Sequence, residues 1–249
     1  MITQIESQKL VVISDLHLGN PFSGVKRKTI EFIEWASENN YDLCINGDGF
    51  EITQVSLKRV ANDVPEVLHS LKQAMEKGTN IYYVVGNHDI FFEHFLSDWG
   101  GFKLAPFLNV KSGKARFRVE HGHLYDPFFI RFPRLYEFST WLGGFALKLH
   151  PSLYKLWIQF EKFRSHFRVW RGKGIPGEPP GFRSSANEIA LRGFDGIVFG
   201  HTHHQGNVSL ESGVPYLNPG SWMLNSNFVK IENGQLSLEQ FSLKKQKGR

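Results

Sequence analysis

The sequence predicts an α/β fold with parallel strands near its centre. Short apolar runs alternate with helix-patterned stretches, and several of those runs end in His, Asp or Asn. In folds of this kind, ligand groups gather just beyond the carboxyl ends of the strands. The second observation therefore bears on function as well as on fold.

Taken in order, "KLVVIS" (9–14) is a short apolar run that ends at Asp15 and reads as a buried strand. "VKRKTIEFIEWASENN" (25–40) spaces Ile30, Ile33 and Trp35 among charges, as an amphipathic helix does. "YDLCING" (41–47) is a second buried strand, and its Cys44 reads as a buried, inert thiol. Val55 to Lys77 has a helical pattern with a break at Pro65 and a stop at Gly78. "NIYYVVG" (80–86), "ARFRVEHG" (115–122) and "FDGIVFG" (194–200) are further strands, the second of them alternating with a period of two. "VPYLNPGS", "NFVKIENG" and "QLSLEQFSL" read as closing strands and a hairpin, before a basic tail at 244–249.

Bulk composition narrows the class. At 249 residues, 41% hydrophobic and 21% charged, the chain can bury a large core as an ordinary globular protein. No apolar run approaches the length of a membrane span, and the polar opening "MITQIESQKL" lacks the apolar region of a secretory signal. With a single cysteine, which excludes an internal disulfide, a cytoplasmic location is expected. The net charge of +5 is unevenly spread. Residues 125–184 hold ten Lys/Arg against four Asp/Glu, a balance of +6, which leaves −1 for the rest. The same stretch holds 15 of the 35 aromatic residues. This shift marks an insertion at 125–184 between core segments 1–124 and 185–243.

The strand ends read "DLH" (Asp15, His17), "GDGFE" (Asp48, Glu51), "GNHD" (Asn87, His88, Asp89), "HGH" (His121, His123) and "GHTHH" (His201, His203, His204). Any one of these could be a helix cap or a satisfied polar group. Five such clusters at successive strand ends are not explained by capping. Carboxylate, imidazole and amide oxygen form a mixed N/O set suited to Mn²⁺, Fe²⁺ or Zn²⁺. Asp-x-His and His-x-His place alternate side chains on one face of an extended segment, so both can meet one centre. Glu51 is balanced between supporting a ligand and pairing with a surface cation. His204 points the other way from the His-x-His pair, and Asn218 in "LNPGSW" reads as a turn residue. His69, His94, His150 and His166 have no motif context and read as structural.

In this order, "DLH", "GD", "GNHD", "HGH" and "GHTH" resemble the motifs of the calcineurin-like metallophosphoesterases, across Val11 to His203 and on through the closing strands. The resemblance implies a four-layer α/β/β/α sandwich, two mixed sheets flanked by helices, with a helical lid insertion. It also implies two divalent metal ions, Mn²⁺ foremost, with Fe²⁺ or Zn²⁺ as alternatives. By position, Asp15, His17 and His203 would hold one metal and Asn87, His121 and His201 the other, with Asp48 bridging. Such a ligand set leaves room for a water between two cations, which lower its pKa toward neutrality. His88 would stabilise the transition state or protonate the leaving oxygen, and Asp89 would orient its imidazole.

Within the insertion, Leu153, Leu156, Trp157, Phe160, Phe163, Phe167 and Trp170 follow helical spacing, and "PRLYEFSTWLGGFALKL" is a second helical stretch with a kink or close-packing point expected at Gly143–Gly144. "GKGIPGEPPGF" reads as a loop, and "SSANEIALRG" as a short return helix. A helical hairpin with a solvated basic face would be the ordinary reading. Its aromatic content, its basic excess and its junctions with site strands favour a lid instead. Such a lid would meet phosphate or anionic lipid through basic residues, and acyl chains or a bilayer surface through apolar ones. A helical insertion at this point resembles that of the UDP-2,3-diacylglucosamine diphosphatases of lipid A synthesis, which release UMP and a lipid monophosphate at the inner membrane face. By that likeness the expected partners are a lipid-nucleotide and an anionic membrane surface, with the protein peripheral on the inner membrane. His123, Arg131, Arg134, Arg164 and Arg168 are the candidate substrate contacts. The sequence departs from that branch at His88, where Arg is usual, and at His123, where Asp is usual. Rival readings are a broader phosphodiesterase or phosphatase on nucleotides or phosphoproteins, a nuclease, and a scaffold without chemistry. The helical aromatic stripes argue against nucleic acid, and the full set of motifs argues against the scaffold.

Overall fold

The computed structural model describes residues 3–19, 25–51, 64–95, 101–149 and 174–242, with positions 58, 62, 152, 156 and 159. Its strands are β1 (Gln4–Glu6), β2 (Lys9–Ile13), β3 (Asp42–Asn46), β4 (Ile81–Val84), β5 (Lys103–Ala105), β6 (Phe107–Ser112), β7 (Ala115–Glu120), β8 (Gly196–Val198), β9 (Gly206–Ser209), β10 (Pro215–Asn218), β11 (Asn227–Glu232) and β12 (Gln235–Gln240). Its helices are α1 (Val25–Glu38), α2 (Pro65–Glu76), α3 (Pro127–Arg131), α4 (Pro133–Leu149), α5 (Pro180–Ala190) and α6 (Trp222–Asn225). They form two six-stranded sheets, ordered β1-β6-β7-β8-β10-β9 and β12-β11-β2-β3-β4-β5.

Alternation along each central strand explains the layering. In β2, Leu10 and Val12 face the space between the sheets, with Cys44, Tyr82 and Val84. Val11 and Ile13 face the other way, onto Phe32 and Ile33 of α1 and Val67 and Leu71 of α2. Both faces are covered, so the strand is a continuous apolar run, as parallel strands in α/β proteins are. The other sheet's outer face packs against α5 through Phe182, Ala186 and Ile189, beside Ile197 and Phe199. Three apolar clusters between four layers make the α/β/β/α sandwich. Ile175 and Phe182, both inside the segment read as an insertion, belong to the third cluster. Cys44 is fully buried, and burial pushes its thiol well up.

Strand registers bring the motifs together. β2, β3 and β4 run parallel, with Ile13 opposite Ile45 and Asn46 opposite Val84, so their carboxyl ends finish side by side. β7 and β8 do the same in the other sheet, with Val119 opposite Val198. Asn46 Nδ2 donates to the Glu120 carbonyl at 2.9 Å and ties the two sets of ends together. Trp222 of α6 locks the first loop from outside: its backbone N–H donates to the Ser14 carbonyl at 2.9 Å, and its indole N–H to Thr29 Oγ1 at 3.0 Å.

Some elements differ from expectation. β1, β5, β6 and β9 are additional strands. Pro65, where a break is expected, is the first residue of α2 and follows helical positions 58 and 62 and a bend at Val64, which suits a residue with no N–H to donate. Residues 52–57 lie outside the described set. The stretch 133–149 is one helix through Gly143–Gly144. α5 begins at Pro180, earlier than the return helix expected. The expected helix over 153–170 lies outside the described residues apart from positions 156 and 159. Among the described residues, no helix is long and apolar enough to cross a membrane.

Candidate metal centre

Three groups of potential donors converge: Asp15, His17 and His203; Asp48, His121 and His201; and His17, Asp48 and His88, with the donor atoms of each group within 4.8 Å of one another. Asp48 belongs to two of the three, so it sits between the outer groups. Asn87 joins the second group, with its Oδ1 at 2.8 Å from His201 Nδ1 and 3.2 Å from His121 Nε2.

The loops reach this arrangement at a conformational cost. Asp15, His17, Asp48, His201 and His203 all adopt positive φ, between 48° and 67°. Non-glycine residues avoid this region, and strained backbone of this kind gathers at functional sites. Glycine is required where the loops meet. A Cβ on Gly86 would lie 2.3 Å from Asp48 Oδ1, and one on Gly47 would lie 2.2 Å from the His121 ring.

Three of the imidazoles are fixed by the bond on the far side of the ring. His121 Nδ1–H donates to the Asn46 carbonyl at 2.8 Å, which turns Nε2 toward Asn87 and toward Asp48 Oδ2, 3.3 Å away. His201 Nε2–H donates to Asp126 Oδ2 at 3.1 Å, which turns Nδ1 inward. His17 Nδ1–H donates to Glu51 Oε2 at 2.8 Å, leaving its Nε2 3.2 Å from His203 Nε2. Outer partners of this type set the tautomer that presents a lone pair to a metal.

The donor set fits a pair of cations. In the second group, an amide oxygen and two inward nitrogens face one another, an arrangement that is repulsive unless a proton or a metal cation lies between them. In the first, Asp15 Oδ1 is buried with no hydrogen-bond partner, although His203 Nε2 stands 3.2 Å away. Local electrostatics agree. Burial alone would raise Asp48, but His121, His88 and His17 outweigh it and hold the carboxyl well below its usual range. Burial would likewise lower His121, yet Asp48 and Asp15 carry it up to about 9. The identity of the metal is not fixed by these contacts, since Mn²⁺, Fe²⁺ and Zn²⁺ all accept this donor mixture.

His88 lies 4.9 Å from His17, ring to ring, in an edge-on contact. Its backbone N–H donates to Asp48 Oδ1 at 2.8 Å, and its Nδ1–H donates to Glu51 Oε1 at 2.7 Å. Burial disfavours the imidazolium, but Glu51 and Asp48 outweigh it and raise His88 to about 10. Glu51, fully buried, thus braces His17 with one oxygen and His88 with the other. Asp89, expected to orient His88, does something else. Its carboxylate accepts from the backbone N–H groups of Gly86 and Gly49 at 2.6 and 2.9 Å, and from the Tyr83 hydroxyl. It shapes the loops and makes no hydrogen bond to the His88 ring; Glu51 makes that bond instead.

His123 is buried beside the second group, its ring 5.6 Å from that of His121 and 6.4 Å from that of His201. Its Nδ1 is buried without a hydrogen-bond partner. Burial, reinforced by His121 and His201, lowers it to about 3. Arg131 and Arg134 are exposed at the junction of α3 and α4, and Arg164 and Arg168 lie outside the described residues. His69 is exposed on α2 and His94 lies in a 3-10 turn, while His150 and His166 lie outside the described residues. His204 packs over Gly177.

Three supporting residues escaped the sequence reading. Asp126 is the partner of His201, and the Tyr136 hydroxyl accepts from Asn87 Nδ2 at 2.7 Å. Glu178 accepts from Thr202 Oγ1, Asn218 Nδ2 and Tyr216 Oη at 3.0, 2.8 and 2.8 Å, and so holds the loop carrying His201 and His203. Asn218, read as a turn residue, accepts from the Gly220 N–H at 2.8 Å and also donates to the Gly200 carbonyl at 3.0 Å.

Solved structures resemble this chain in fold. A hypothetical protein from Pyrococcus horikoshii is similar in fold, at 12% identity and a TM-score of 0.50, over 97% of this chain and 90% of that one. A predicted phosphoesterase from Streptococcus pneumoniae matches at 17% identity and a TM-score of 0.40, over 93% of this chain and 87% of that one. A dimetal phosphatase from Danio rerio matches at 9% identity and a TM-score of 0.48, over 93% and 95% of the respective chains. No curated protein matches the sequence. The family model for calcineurin-like phosphoesterases matches residues 8–205, which takes in every strand end of the site. With that match over most of its length, the chain belongs to the calcineurin-like phosphoesterase family.

Proposed function

We propose that the protein hydrolyses a phosphate ester or pyrophosphate with two divalent metal ions, and that its substrate is a lipid-nucleotide such as UDP-2,3-diacylglucosamine. Asp15, His17 and His203 would hold one ion, Asn87, His121 and His201 the other, with Asp48 between them. Bound there, the pair would supply Lewis-acid stabilisation of phosphoryl oxygens and a water of lowered pKa. The chain's own residues do the rest. Hydrolysis adds water across the phosphoanhydride: its oxygen bonds to phosphorus, the bridging P–O bond breaks, and the leaving oxygen takes up a proton. His88 is the group to donate that proton, since Glu51 holds its Nδ1–H and keeps the ring cationic. UMP and a lipid monophosphate are the products.

One observation carries the choice of an acyl-bearing substrate. α4, whose Tyr136 touches Asn87, exposes Leu135, Phe138, Trp141, Leu142 and Phe145, and Trp141 stacks against both Phe138 and Phe145 at 5.8 Å. An apolar stripe of that kind, beside exposed Arg131 and Arg134, suits acyl chains and the anionic surface from which they come. A second reading, a phosphodiesterase acting on nucleotides, is favoured by His88 and His123, where the chain departs from the lipid A branch. Turnover of UDP-diacylglucosamine, a phosphodiester reporter and cyclic nucleotides by the Mn²⁺-loaded protein separates the two. Hydrolysis of the lipid-nucleotide to UMP is expected, and rapid reporter cleavage with the lipid-nucleotide untouched would overturn the lipid assignment.

A further inference from the structure

The two donor groups are braced from different parts of the molecule. A carboxamide has one accepting end and one donating end. An acceptor behind Nδ2 of Asn87 therefore fixes which way Oδ1 points. That acceptor is the Tyr136 hydroxyl, from the first turn of α4, at 2.7 Å. The result is Oδ1 held between His201 Nδ1 and His121 Nε2. Asp126 does the same for His201, whose Nε2–H it accepts at 3.1 Å. The other oxygen of this carboxylate accepts from the Phe128 N–H at 2.8 Å and caps α3, so helix start and imidazole orientation share one side chain. Between the two, Phe129 meets Tyr136 edge-on at 5.0 Å and the buried His123 edge-on at 5.3 Å.

The described partners of the first group come from the core. Glu51 orients His17, and Asp15 Oδ2 accepts from Ser14 Oγ at 2.5 Å and from the His201 N–H at 3.2 Å. None of these three contacts involves α3 or α4, and the last ties Asp15 to the backbone rather than the ring of His201.

We infer that Asp126 and Tyr136 are positioning residues for the Asn87–His121–His201 site, so that the seating of α3 and α4 sets the metal affinity of that site separately from the other. A substrate that engages these helices thereby acts on one metal and not on its neighbour. The inference rests on reading the two groups as metal sites, and metal binding tests it without any substrate.

The experiment titrates metal-free full-length protein with Mn²⁺ alone, by calorimetry, with metal content checked after equilibrium dialysis. Wild type is expected to take up two equivalents. Tyr136→Phe and, independently, Asp126→Asn are expected to weaken one of them by roughly 10- to 100-fold, the usual cost of losing an outer partner. Both variants should affect the same equivalent, while Glu51→Gln weakens the other. Circular dichroism confirms folding, and Asp126→Asn carries the test if Tyr136→Phe does not fold. Equal weakening of both equivalents by Tyr136→Phe and Asp126→Asn, or no change in either, overturns the inference and leaves the two-metal reading standing. Uptake of a single equivalent by wild type overturns that reading and the inference with it.

Discussion

His88 is held between two carboxylates, its ring by Glu51 and its backbone by Asp48, and it is not one of the seven residues read as ligands of the two ions. Its removal should therefore separate chemistry from metal binding. His88→Asn is expected to lower kcat by roughly 10²- to 10⁴-fold, the range for loss of a general acid. Metal content by elemental analysis should remain at the wild-type value. Glu178 gives a pH-dependent prediction. Burial raises its carboxyl from 4.5 to about 7, against three donated hydrogen bonds. The folded chain thus holds this proton more tightly than the unfolded chain does. The resulting stabilisation is full below 4.5 and lost as the pH rises through about 7. Glu178→Gln cannot ionise, so its melting temperature should fall less than that of wild type between pH 5 and 8. Thermal melts across that range check the sign. The donors Asp15 to His203 were legible because each follows an apolar run within a few residues. Asp126, Tyr136 and Glu178 were not. They approach the donors through space, from a segment whose composition spoke only of aromatics and charge.

At the scale of elements, the strands buried on both faces were the easiest to read, since β2, β3 and β4 carry unbroken apolar runs. β1 and β5 have three residues each, too few for a period to show. β9, an edge strand, is nowhere fully buried, so its residues carry no apolar pattern. α5 illustrates how tertiary packing overrides a loop-like sequence. "EPPGF" looks like a turn, but Pro180 opens the helix and Phe182 plugs the third cluster at 0% exposure, with Phe199 6.1 Å away. Phe182→Ala should cost about 3–5 kcal/mol of unfolding free energy, as large cavities in cores do. Chemical denaturation would show it as a lower midpoint with an unchanged slope. Because α5 follows the Glu178 loop, the same variant should also loosen the segment that carries His201 and His203.

For the whole molecule, the pertinent contrast is between a closed four-layer body and an open apolar stripe on α4. Phe138 is 56% exposed and Trp141 60%, whereas most of the described aromatic side chains of the sandwich are buried, with Phe91 an exposed exception. Replacing both with serine should lower partitioning onto anionic liposomes by about tenfold or more, given roughly 25 cal/mol for each Å² of apolar surface withdrawn from water. Sedimentation with vesicles measures this, and unchanged partitioning would end the case for a membrane-facing helix. The core should be indifferent to the change, with the same melting temperature.

The left-handed backbone at five of the candidate donors has a further consequence, for heat tolerance without metal. Each such residue costs roughly 1–2 kcal/mol relative to a relaxed conformation, a cost that loop hydrogen bonds such as His17 N–H to the Asp48 carbonyl at 2.9 Å must offset when no metal is bound. The site is thus a place where the fold is less robust than it could be. Glycine adopts this region freely, and of the five donors His203 has the most accessible side chain, at 32%. His203→Gly removes this strain together with the contact to Asp15 at 3.2 Å, so its melting temperature should stay close to that of wild type in a chelator and fall below it in Mn²⁺. A gap that opens only in Mn²⁺ would be the thermal signature of a loop shaped for its ion at the expense of its own endurance.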